Sequence, residues 1–231
     1  MTLALDRWMC QVGGVDLTRA SLLREMLSGT ELGSRTTEFG YALRRFTTRR
    51  SGLMLFGPVD DEPWHLTAHL DDELHRAGVE DLRPSLVRWA PPPGAPPHLA
   101  IGLDRLKDAG RGESLLVVAE DTPADTLLER ISDVRRRGTT IFSIGNGDNE
   151  LTSLSHETLV PELLVPDGFG WTSREVLEPQ AALTEVEPQT AEGFETAQHL
   201  VSLAAADEEA GRAGWRRRLR NAIERLSGEP A

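Results

Sequence analysis

Apolar positions in this chain change period near residue 50 and again after residue 165, and each change marks a class of element. In the first stretch they fall at helical spacing. Leu22, Leu23, Met26 and Leu27 share one face of a helix predicted over 17–27, with Asp16 as its N-cap and Ser28-Gly29 as its stop. A second helix is predicted over 36–46, and the basic residues Arg44, Arg45, Arg49 and Arg50 lead out of it.

From Gly52 the period shortens. Gly52-Leu53-Met54-Leu55-Phe56-Gly57 is a continuous apolar run bounded by glycines, the pattern of a strand covered on both faces. A helix is predicted over 62–77, with Pro63 in its first turn and Leu66, Leu70, Leu74 and Ala77 along one side. A weaker strand over 85–90 and a proline-rich loop over 91–97 follow, and Ile101, Leu103 and Leu106 mark a further helix. The clearest strand is 114–119. Thr122 and Pro123 read as N-cap and first residue of a helix that stops at Gly138, and 139–144 reads as a fourth strand. A fifth is expected within 158–165, interrupted by Pro161.

Strands alternating with helices at this spacing imply right-handed βαβ units. The expected architecture is therefore α/β: a doubly wound, mostly parallel five-stranded sheet in a flavodoxin-like three-layer arrangement, with helical N- and C-terminal extensions. The chain divides into a helical segment over 1–50, the α/β core over 51–165, an irregular acidic and proline-containing segment over 166–191, and C-terminal helices over 192–231.

Composition narrows the functional classes. A net charge of −12 disfavours nucleic acid and anionic lipid as partners. Cys10 is the single cysteine, so no internal disulfide forms and a reducing compartment fits. The first ten residues lack a basic leader region, and no apolar stretch approaches the roughly 20 residues that cross a bilayer. These features together predict a cytoplasmic protein.

A family resemblance enters at 115–165. Ala124-Asp125-Thr126-Leu127 opens a helix, Arg136-Arg137-Gly138 closes it, a strand ends near Asn146, and Ser153-Leu154 follows. This succession resembles sugar isomerase (SIS) domains, and Phe194-Glu195-Thr196-Ala197-Gln198-His199-Leu200 resembles the helix that closes them. The resemblance spans roughly 35–206 and implies a homodimer and a sugar-phosphate ligand. In the family that ligand is held by hydroxyls and backbone N–H groups at strand ends, beside helix N-termini.

The two loops in question depart from the family pattern. One reads Gly57-Pro58-Val59-Asp60-Asp61. In the other, Ala119-Glu120-Asp121 replaces the Ser-rich segment. A carboxylate within about 4 Å of a phosphate costs several kcal/mol at partly buried dielectrics. Candidate ligand-binding residues are accordingly Asp60, Asp61, Glu120, Asp121, Thr122, Thr126, Asn146 and Ser153. The four acids suit a hard cation, an amine or a basic partner, although acids in a first helical turn more often simply cap it.

His65 and His69 lie one helical turn apart, but no second cluster in the sequence supplies further ligands. An exposed helix flank is the expectation, and no metal and no cofactor is predicted. Gly145-Asn146-Gly147 lacks the third glycine and the strand–turn–helix setting of a dinucleotide fingerprint and is read as a turn. The Arg216, Arg217, Arg218 and Arg220 cluster, on an amphipathic helix with Trp215, Leu219, Ile223 and Leu226, suits a protein partner.

The leading expectation is a degenerate SIS-like protein with a regulatory or architectural role and no catalysis. One alternative is a phosphosugar sensor or aldose–ketose isomerase using Thr122 and Thr126, for which the resemblance offers His199 or Glu195 as proton-transfer base. Another is a divalent-metal protein using the acidic loops.

Overall fold

The computed structural model of the chain describes residues 25, 27, 29–95, 100–161 and 190–207. Six helices and five strands are described in order: α1 (Glu31–Phe46), β1 (Leu53–Phe56), α2 (Trp64–Arg76), β2 (Pro84–Leu86), α3 (Asp104–Lys107), β3 (Ser114–Ala119), α4 (Asp125–Arg136), β4 (Thr140–Gly145), α5 (Asn149–Leu154), β5 (Glu157–Leu159) and α6 (Thr190–Ala206). All strand pairs are parallel, in the order β2-β1-β3-β4-β5. The predicted doubly wound sheet is thus observed, with helices on both faces.

Alternation along each strand divides the core. Leu53, Leu55, Leu116, Val118, Phe142 and Ile144 face one side, where they meet Phe39 and Leu43 of α1, Leu66, Leu70 and Leu74 of α2, and Leu200 and Val201 of α6. Met54, Phe56, Leu115, Val117 and Ile141 face the other, against Leu106 of α3, Leu127, Ile131 and Val134 of α4, and Leu151 of α5. Each such buried Leu, Val, Ile or Phe contributes about 1.5–3 kcal/mol. Phe39 meets Phe142 edge to face, with ring centroids 5.5 Å apart. The terminal helices α1 and α6 therefore belong to one covering layer of the sheet.

Several boundaries shift for local reasons. Helix α1 starts at Glu31 rather than 36, because the Thr30 hydroxyl accepts from Gly33 N at 3.1 Å and closes the N-terminus there. Helix α4 starts at Asp125 with Ala124 as its N-cap, so Thr122 and Pro123 are not its cap pair. Strand β2 is shorter than predicted, and past it only an isolated bridge joins Arg88 to Gly102. Strand β5 covers Glu157–Leu159, upstream of Pro161. The turn after β4 does lead into a helix, α5: the Asp148 carboxylate accepts from Glu150 N at 2.9 Å and Leu151 N at 3.0 Å. The predicted helix over 17–27, apart from positions 25 and 27, lies outside the described residues, as do the segment 166–189 and the Arg216–Arg220 cluster. No helix among the described residues is long and apolar enough to cross a membrane.

Candidate functional site

Sheet order and helix placement locate the site before any side chain is considered. Strands β1 and β3 are neighbours, but α2 leaves β1 on one face while α4 leaves β3 on the other. In open α/β sheets, ligands bind outside the carboxyl ends of the strands at such a switch point. The loops that meet this edge are 57–63 and 120–124.

The first loop is tightly built. A Cβ on Gly57 would lie 2.8 Å from the Val118 carbonyl oxygen and 2.9 Å from that of Asp61, so only glycine lets the loop pass over the end of β3. The Gly57 carbonyl accepts from Trp89 Nε1 at 2.8 Å. The Glu62 carboxylate takes Arg88 Nε at 2.7 Å and Trp89 N at 2.9 Å. Trp89 also packs at a 31° tilt against Phe56, with ring centroids 5.1 Å apart, and the Arg130 guanidinium lies over its ring at 5.5 Å. This lattice anchors the β1–α2 loop to the segment after β2.

On that rim Asp60 and Asp61 are exposed in the first loop. Asp121, Thr122 and Thr126 are exposed after β3, and Glu120 is half-buried beside them. None of the four acids is itself the N-cap residue of the helix it precedes. Neither α2 nor α4 has a side-chain hydrogen bond at its N-cap, Pro63 and Ala124 respectively. Two helix N-termini with their positive dipole ends therefore flank the switch point.

Asn146 and Ser153 lie one strand further along, and local structure occupies both. Asn146 Oδ1 accepts from Asp148 N at 3.0 Å, and Ser153 Oγ donates to the Glu150 carbonyl at 2.8 Å. With the α5 N–H groups already taken by Asp148, the Gly145-Asn146-Gly147 turn is not an anion cradle.

The chain's histidines revise the sequence reading most. His65 and His69, in the first two turns of α2, are half-buried rather than on an exposed flank. They meet His199 of α6, from the far end of the described chain. The ring centroids are 4.5 Å apart for His65–His69, 4.4 Å for His69–His199 and 5.5 Å for His65–His199, all edge to face. His65 Nε2 and His69 Nε2 are 2.9 Å apart, one donating and the other accepting. The three imidazoles offer nitrogens that all lie within 4.8 Å of one another, close enough to share one ion. Trp64, largely exposed, stacks beside His65 at 5.5 Å. Glu195 is on the same helix as His199, with its side chain outside the described set. The i, i+4 pair was visible in the sequence, whereas its third member was not, because only the packing of α6 on α2 brings it there.

No family model matches the chain, and no curated protein matches it either. Among solved structures, the chain is similar to a "Putative sugar binding protein" from Salmonella typhimurium LT2, with 15% identity and a TM-score of 0.44. The match covers 86% of this chain and 51% of that one, so the chain spans about half the length of that protein.

Proposed function

We propose that this protein binds a carbohydrate derivative without a phosphate group at the carboxyl edge of β1 and β3, and that it acts as a regulatory, ligand-sensing module. One observation carries the reading: the switch point is flanked by two helix N-termini whose N-cap residues, Pro63 and Ala124, supply no side-chain cap, on a rim bearing Asp60, Asp61, Glu120 and Asp121. Orphan N–H groups are donors for hydroxyl or carbonyl oxygens. The carboxylates disfavour a dianionic phosphate and favour a neutral or amine-bearing sugar. The resemblance of 124–154 to sugar isomerase domains supports the carbohydrate class, and the replaced Ser-rich loop supports a role outside phosphosugar turnover.

The double variant Glu120→Ser, Asp121→Ser tests the electrostatic half of the reading. It is expected to strengthen binding of a sugar phosphate such as glucose 6-phosphate roughly threefold to tenfold, because the removed carboxylates are largely solvent-screened. Unchanged or weaker binding, measured by calorimetric titration, would remove the acidic loops from the explanation.

A second reading is favoured by the position of His199. An isomerase needs a base beside its ligand, and His199 reaches α2 next to the same rim. Aldose–ketose interconversion of a bound sugar, abolished in His199→Ala with binding retained, is the outcome that would select it.

A further inference from the structure

We infer that His65, His69 and His199 form a binding site for a divalent transition metal ion of the zinc class. This goes beyond the carbohydrate reading and stands without it. The residue types, the geometry and the way the fold assembles them converge on the same ligand.

Neutral imidazoles bind zinc, cobalt, nickel and copper in preference to magnesium or calcium, which require oxygen donors. A tetrahedral ion with Zn–N distances of about 2.0–2.1 Å sets its ligand nitrogens roughly 3.3 Å apart. Here one pair is at 2.9 Å and all three fall within 4.8 Å, so rotation of half-buried side chains is enough to close the set around an ion. Edge-to-face packing matters as well. Interplanar angles of 72°, 77° and 90° turn the rings out of a stack, so their nitrogen-bearing edges can approach a common point.

Assembly of the set is a product of the tertiary fold. His65 and His69 sit one turn apart on α2, and α6 contributes the third ligand from the other end of the described chain. Leu66 and Leu70 of α2 and Ala197, Leu200 and Val201 of α6 are buried around this helix pair. The packing that holds the helices together thus also fixes the ligand separation. Three protein nitrogens leave a coordination position for water or for an oxygen of a bound molecule, the ligand count found in catalytic zinc sites.

In the metal-free protein one proton is shared between His65 and His69. An ion bound by both Nε2 atoms would take the place of that hydrogen bond, with the donor ring's proton moved to Nδ1.

The test uses untagged full-length protein, stripped with EDTA and dialysed, with Zn²⁺ and Co²⁺ as probes and no sugar present. Calorimetry is expected to show one Zn²⁺ per chain, and Co²⁺ the intense visible bands of a four- or five-coordinate site. Loss of an outer-shell partner typically weakens metal sites 10–100-fold, so His199→Ala and His65→Ala, each losing a ligand, should weaken Zn²⁺ at least about 100-fold. The control His75→Ala, an exposed histidine paired with Glu80, should leave affinity unchanged. Wild-type affinity should fall as the pH is lowered, because protons compete with the ion for imidazole nitrogens. If His199→Ala does not fold, His69→Gln on α2 makes the same measurement. Absence of Zn²⁺ binding, or equal binding in wild type and the folded ligand variants, would overturn the site. Zn²⁺ binding without any sugar binding would leave it standing and sink the carbohydrate reading alone.

Discussion

At the scale of single residues, the two edges of the sheet are built on opposite principles. Glu113, at the amino edge before β3, is 2% exposed and fully engaged. Arg105 Nη2 lies 2.6 Å from one oxygen, Gly110 N donates to the other at 2.8 Å, and Arg49 Nη1 approaches at 3.5 Å. Its neighbours are satisfied too: Thr139 Oγ1 donates to the Gly110 carbonyl, and Thr48 and Arg49 N–H groups bond to that of Gly112. At the carboxyl edge, by contrast, Asp60, Asp61 and Asp121 are exposed, Glu120 is half-buried, and the N-cap residues Pro63 and Ala124 make no side-chain cap. Glu113→Gln keeps the shape but loses the charge, leaving a buried amide where two guanidinium groups expect a carboxylate. We predict a loss of about 1–3 kcal/mol in denaturant unfolding. A change below about 0.5 kcal/mol, the range of ordinary surface substitutions, would show the network to be ornamental.

At the scale of elements, the pairing of α1 with α6 depends on Gly40. A Cβ there would lie 2.7 Å from Ala204 Cβ and 2.7 Å from Ala205 N, inside the backbone of the partner helix. Alanine is the better helix former by about 1 kcal/mol, but the obstruction is main chain and cannot rotate away. Gly40→Ala is therefore expected to destabilise the protein by about 1–3 kcal/mol despite its higher propensity. A rise in the melting temperature would mean the helices separate easily.

Element starts were the least legible part of the sequence, and their errors share a cause. Thr30 lies between the apolar repeat at 22–27 and the one that begins at 36, so the sequence places the start of α1 later. Thr122-Pro123 has the composition of a cap pair, yet Pro123 is buried and Thr122 exposed, and the helix begins at Asp125 with no cap hydrogen bond. Helix α5 has six residues and too few apolar positions for a period to emerge. Strands β1 and β3, by contrast, are visible because burial on both faces demands nearly unbroken apolar runs, a pattern that β4 keeps apart from Thr140 and Ser143. Position within a sheet leaves its mark on composition, whereas a cap depends on where the chain turns.

At the scale of the whole molecule, the order β2-β1-β3-β4-β5 follows from alternating strands and helices, and it creates the switch point between β1 and β3. The rim residues Asp60, Asp61, Glu120 and Asp121 were readable because they directly follow strands. The histidine triad was only two-thirds readable. His65 and His69 display helical spacing, but nothing in linear order ties His199 to them, since that contact exists only once α6 lies against α2. Sites carried by one loop are local in sequence, and sites made by helix packing are not.

The proposed ligand site is the carboxyl edge of β1 and β3, with selectivity against phosphate. Amide chemical shifts of the labelled protein, followed during titrations with glucosamine, N-acetylglucosamine, glucose and glucose 6-phosphate, test it most directly. The account predicts saturable shifts confined to 57–63 and 120–126 with an amine-bearing or neutral sugar, and weaker ones with the phosphate. No saturable shift with any of them, tightest binding of glucose 6-phosphate, or shifts centred away from those loops would contradict it.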